Sequence, residues 1–333
     1  MDLCRGSETT TPGTPRRTLA RLDEDDEDCR LGATRLSIET ELQSVSARVG
    51  AVAPGLLDRY PVAEYLEALD RTEPAAPYNY HPPGVRDRCE QIRTVYGQEA
   101  LDAYHRLIML GLLSGFEARV ERAAIPDSVL SCAIAFRSRL AQDSIRLPDS
   151  YYRLENDRFA KDLAFSRLRW LPCGPEFVVI RSGLPRRRLL APPRWQVPLR
   201  IAFVLTRLGG FKPLFETHFD RRLASEFNED GYRKFYLRLA ELLELHSDVG
   251  GVVLTGSWFM DPALASISPE LDYLREQPVS MGGKLVPVAT TRDDVRRATQ
   301  ASPRRREMFD RGEYVPRSFM VLMPRTSLLA AVR

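Results

Sequence analysis

Between residues 35 and 146 apolar side chains recur every three to four positions. "LSIETELQSVSARVGAV" and "VAEYLEALDR" carry this spacing, as do Ile92, Val95 and Tyr96, then Leu101, Tyr104, Leu107, Ile108 and Leu112. A period near 3.6 predicts helices with one buried face. Gly97 divides two of them, and Pro61 and Pro126 stand where a helix begins, a position that tolerates the missing N–H. "APYNYHPPGV" at 76–85 reads as a proline-rich turn.

The pattern changes after about residue 150. "EFVVIRSG" at 176–183 predicts a strand, and "RRRLLAPP" a second strand in hairpin with it. "VPLRIAFVLTRLGG" predicts a helix closed by Gly209 and Gly210. "KPLFETHFD" alternates like a strand, with Leu214, Glu216 and His218 opposed to Phe215, Thr217 and Phe219. Next comes a strongly amphipathic helix. Asn228 is its cap, Glu229 and Asp230 occupy the first turn, and Tyr232, Phe235, Tyr236, Leu239, Leu242 and Leu243 share one face. "GGVVLTGSWF" is a continuous apolar run, as expected for a strand covered on both faces. A short helix at "SPELDYLREQ" and a strand at "KLVPVAT" follow. Helices capped by Thr291 and Ser302 and a last strand at "SFMVLMP" complete the pattern. The expected fold class is α/β (α+β): a helical region over 33–148, then an α/β domain on a central mixed sheet over 149–333.

Composition narrows the function classes. The net charge of +3 over 333 residues gives no basic stripe and argues against nucleic-acid binding. Five scattered cysteines without CxxC spacing suggest neither a disulfide framework nor a zinc ribbon. Leu107–Phe116, the longest apolar stretch, is too short to span a bilayer, and the reading is a cytoplasmic protein. Residues 1–32, rich in threonine and proline and carrying "DEDDED", are expected to form a disordered tail, with a protein partner as its possible use.

Four stretches are candidates for chemistry. On a strand Glu216 and His218 share a face, and Asp220 extends the row, supplying a base or metal ligands. No second histidine cluster supports a metal, so none is expected. Ser257 and Trp258 end the apolar strand and Asp261-Pro262 turns the chain, either bracing a corner or lining a pocket at the strand end. "TRLGGFK", with Arg207, and "SPRRREMFD", with Arg304 and Arg305, could hold an anion; a helix cap and a solvated basic face are the alternatives. GxSxG, GxGxxG, Walker and HExxH motifs are absent.

Glu216, His218, Ser257, Trp258, Asp261, Pro262 and Leu264, within 211–276, together resemble the C-terminal half of GNAT-like acyltransferases. In those proteins an E-x-H strand and a helix precede a strand ending in a C-x-SW-x-x-DP-x-L type motif, whose first position is Thr255 in this chain. The chain is also similar to bacterial proteins of unassigned activity that carry "SWFYDP" and "SPELGYLR". The resemblance implies a coenzyme A thioester as donor and a small amine or hydroxyl acceptor as substrate. Glu216, His218 and Asp261 would be catalytic, and Ser257, Trp258 and Asp220 would bind substrate. Arg207, Arg304 and Arg305 would hold the cofactor. The expected Q/R-x-x-G-x-G/A loop has "RLGGFK" as its nearest string, which precedes the strand instead of following it. The alternative reading is a non-catalytic interaction module on a degenerate α/β domain.

Overall fold

The computed structural model describes residues 24–71, 80–184, 186–300 and 302–333. The first half is helical, with its centre in the helix Gln98–Ser114. Thirteen of that helix's 17 residues are buried, so neighbours cover nearly all of its circumference. Leu107, Ile108, Leu110 and Leu113 meet Ile38, Val45 and Val49 of the helix Glu24–Val52 in one cluster with Phe136, Leu140, Phe159 and Phe165. Full burial of each such side chain contributes roughly 1.5–3 kcal/mol. Gly97, with φ of 88°, separates Gln98–Ser114 from the helix Pro83–Tyr96.

The expected tail, 1–32, runs too far. The first helix already includes Glu24, so most of the acidic block is helical. Residues 1–23, with the rest of that tail and its proposed partner contact, lie outside the described residues.

The second half supplies a six-stranded mixed sheet. Its strands are β1 (Trp170–Pro172), β2 (Glu176–Ser182), β3 (Leu214–Phe219), β4 (Gly251–Ser257), β5 (Lys284–Pro287) and β6 (Phe319–Pro324), in spatial order β1-β2-β3-β4-β6-β5. Pairing is antiparallel throughout except between β3 and β4, which are parallel. A parallel pair needs a crossover, here the helix Glu229–Leu245, capped by Asn228 through the Gly231 amide. Its Tyr232, Phe235, Tyr236 and Leu239 cover Val178, Phe215, Val252 and Leu254 on one side of the sheet. On the other side the helical half covers Trp170, Phe177 and Val179. Leu184, Leu189, Val204 and Leu208 cover Leu214, Val253 and Leu322. Cover on both faces explains the apolar run of β4.

One expected element is not a strand. "RRRLLAPP" forms a helical turn, Arg186–Leu189, and β2 pairs with β1 and β3 instead. The carbonyls of Leu189, Ala191 and Pro192 accept from the buried Arg200 guanidinium, so a side chain satisfies them in place of a sheet ladder.

The connection from β3 to the crossover helix folds as a short turn, Arg221–Glu226, lying on the helix start. At Gly231 a Cβ would stand 2.0 Å from the Glu226 carbonyl oxygen. The Gly231→Ala variant is therefore expected to lose about 1–3 kcal/mol of stability in urea unfolding, the usual range for overpacking. Unchanged stability would show that this seat is looser than described.

Candidate active site between two diverging strands

The parallel ladder joins Phe215 to Val252, Glu216 to Val253 and Thr217 to Leu254, and no pairing is formed beyond. Both strands continue, β3 to Phe219 and β4 to Ser257. The reason lies on the far edge of β4. There Leu254 faces Val321 and Ser257 faces Phe319, so three steps on β4 match two on β6. This extra residue is a bulge, which bends its strand and interrupts the ladder. Gly256 sits in it, and a Cβ there would approach Val288 Cγ2 to 2.8 Å. At the fork the Thr255 hydroxyl donates to the Thr217 carbonyl. A side chain thus satisfies an acceptor that the diverging strand leaves.

A cavity of about 930 Å³ opens at the fork. Its walls include His218 and Phe219 of β3, Thr255 to Ser257 of β4, and Trp258 to Met260 of the following turn. Glu176 of β2 and Tyr232 of the crossover helix join them. Glu176 lies opposite Phe219 in the register, and its Oε1 accepts from the Tyr232 hydroxyl at 2.7 Å. Burial raises the Glu176 pKa above the ordinary carboxylate value, against the Tyr232 bond, which lowers it. Phe219, Phe227 and Phe259 add an aromatic wall, with ring centroids 5.0 and 5.3 Å apart in successive pairs. The rim is charged: Arg158 and Lys161 on one side, Arg296 and Arg297 on another, and Arg221 and Arg222 after β3. Arg222 is held by Asp162 and Asp220, and Arg296 and Arg297 by Asp293.

The residues singled out in the sequence divide. His218 is on the cavity wall, its ring stacked on Trp170 with centroids 4.9 Å apart and planes at 17°. Burial lowers its pKa to about 4, with Glu216 opposing the shift, so at neutral pH it is an uncharged proton acceptor. Ser257 and Trp258 also line the cavity, although the Ser257 hydroxyl accepts from the Phe259 amide as a cap. Asp220 is on the wall too, but caps its own turn and pairs with Arg222.

Asp261 is placed differently. It is fully buried and outside the wall, and its carboxylate accepts from the amides of Ala263 and Arg317. The corner reading therefore holds for Asp261, because two backbone donors and the Arg317 charge fix its carboxylate in the turn. Glu216 also lies off the wall, taken by the Ser182 hydroxyl and Arg188. Arg207 ends the helix Val197–Arg207, and its "RLGGFK" string precedes β3, at the end away from the fork. Arg304 is exposed outside the wall. Arg305 is buried behind Trp258, its guanidinium 4.8 Å from the indole and bonded to Ser268 and the Ala298 carbonyl. None of these three arginines faces the cavity.

Glu176 and Tyr232 were not among the sequence candidates. Tyr232 belongs to the apolar stripe of its helix, and Glu176 stands at the boundary of a strand. The available signal was a carboxylate opening an otherwise apolar run, "EFVVI". No protein-family model, curated protein or solved structure matches the chain.

His81, His105 and His218 are all held near pKa 4, chiefly by burial, against about 6.5 when unfolded. Between these values the unfolded chain binds protons that the folded chain does not. Stability is thus expected to fall as pH drops from about 6.5 towards 4. Urea unfolding at several pH values should show the fall, and His218→Gln should make it shallower. An unchanged slope in the variant would mean that His218 takes up its proton at the same pH in the folded and unfolded chain.

Proposed function

We propose that the protein transfers an acyl group from a thioester to a small amine or hydroxyl acceptor held in the cavity between β3 and β4. The observation that carries this reading is the fork itself. Two parallel strands part at Thr217–Leu254, leaving room for an extended thioester arm beside a buried carboxyl group. Glu176, with its raised pKa, is the base that takes the proton from the attacking nitrogen or oxygen as its bond to the acyl carbon forms, and returns that proton to the departing thiolate when the C–S bond breaks. Tyr232 orients it through the 2.7 Å bond. His218, uncharged at neutral pH, is a second acceptor on the opposite face of the sheet. Backbone amides freed where the ladder stops would face the thioester oxygen as negative charge develops there.

The fit to coenzyme A is partial. A diphosphate would need amides at the start of the crossover helix, after β3. Residues 220–228 contain no glycine, the Asn228 side chain already takes the Gly231 amide, and Glu229 and Asp230 place negative charge in the first turn. No step is therefore assigned to the nucleotide part of such a donor. The same acidic turn favours a second reading, a non-catalytic interaction module in which the fork binds no donor.

Calorimetry with acetyl-, malonyl- and long-chain coenzyme A thioesters, and with S-acyl pantetheine, separates the two. Acyl transfer predicts binding of at least one thioester. It also predicts a loss of about 10²–10⁴-fold in turnover for Glu176→Gln, with binding retained. Absence of heat from every thioester would remove the acyltransferase reading. Full turnover in Glu176→Gln would remove Glu176 as the base.

A further inference from the structure

From Phe177 to Phe215 the chain contains eight arginines and lysines and no aspartate or glutamate. This run builds the turn Arg186–Leu189, the short turn Arg194–Gln196 and the helix Val197–Arg207, which lie outside the sheet. Their inner side chains, Leu189, Val204 and Leu208, are buried against it. Their outer side chains are apolar as well. Trp195 is 70% exposed, Leu190 59%, Leu199 58% and Leu205 54%. Phe211, also exposed, lies next to this group in sequence and carries Arg186 over its ring at 5.0 Å.

The charges around this patch are not neutralised. Arg181 and Arg188 pair with Asp248 and Glu216, and Arg200 is buried. Arg186, Arg187, Arg194, Arg207 and Lys212 remain exposed, and none forms an ion pair with a described residue. The patch is held in place by Arg200, whose guanidinium binds the Leu189, Ala191 and Pro192 carbonyls and Gln196 Oε1.

We infer that this face binds the surface of an anionic membrane. An outward helix face with exposed tryptophan and leucine, edged by cations, matches the interfacial mode, in which apolar groups enter the headgroup boundary and basic groups meet lipid charge. Charge complementarity decides against a second copy of this chain. A twofold contact through the patch would set the same five cations against one another. An anionic lipid surface supplies the apolar medium and the opposite charge together. No helix among the described residues is long and apolar enough to cross a membrane, so the attachment is peripheral.

The inference does not depend on the proposed reaction, and a spectroscopic signal tests it. Of the three tryptophans, Trp170 and Trp258 are buried and Trp195 is exposed. Adding vesicles of phosphatidylcholine mixed with phosphatidylglycerol should blue-shift Trp195 fluorescence and sediment the protein, whereas phosphatidylcholine alone should do neither. Raised salt should weaken the binding. Leu199→Gln with Leu205→Gln, and separately Arg187→Glu with Arg194→Glu, should each weaken it on the order of tenfold or more. Thermal unfolding should stay unchanged in both pairs, because all four side chains are exposed. No shift and no sedimentation would overturn the inference. So would binding that survives both pairs, or a dimer that the leucine pair abolishes while vesicles have no effect.

Discussion

Everything at the candidate site depends on how long β3 and β4 remain paired. A parallel pair is joined by slanted hydrogen bonds, and each further step would consume backbone donors and acceptors along both strands. Here the ladder stops at Thr217 and Leu254, and the stop is built into the sequence of β4. Thr255-Gly256 adds a residue relative to β6, the bulge bends the strand end, and the Thr255 hydroxyl satisfies the carbonyl left at the fork. At Gly256 a Cβ would crowd the Val288 side chain, so glycine leaves room for the bend. The cavity is thus a consequence of sheet geometry. The aromatic and charged residues around it give it chemistry and do not create it.

The corner after β4 is held by its own contacts. The buried Asp261 carboxylate is met by two amides and by Arg317. A buried carboxylate without such partners would be costly. Arg305, which is not on the cavity wall, lies over the indole of Trp258. The corner therefore fixes the direction in which Ser257, Trp258 and Phe259 leave the strand. The question whether these residues brace a corner or line a pocket has a divided answer. Asp261 braces, and Trp258 does both.

Much of the fold was legible from residue spacing. Period-3.6 runs marked the helical half, and the crossover helix was readable from Asn228 to Leu243, because cap, first-turn charge and apolar stripe agree. Alternation gave β3, and the uninterrupted apolar run gave β4 with cover on both faces. "RRRLLAPP" misled because its apolar residues suggest a strand, while the partner of its carbonyls, Arg200, lies downstream as a single buried guanidinium. At the site, sequence spacing could place Glu216 and His218 on one face but not say which neighbour would claim each. Arg188 and Ser182 take Glu216 away from the cavity. Glu176 reaches it because β2 lies beside β3 in the register that sets Glu176 opposite Phe219, a non-local fact.

The fork can be observed directly in solution. In isotope-labelled protein, backbone amide nuclear Overhauser effects report which strand positions lie side by side. The account predicts cross-strand contacts between β3 and β4 up to Thr217 and Leu254, and none joining Phe219 to Gly256 or Ser257. A continuous ladder of contacts to the ends of both strands would contradict it.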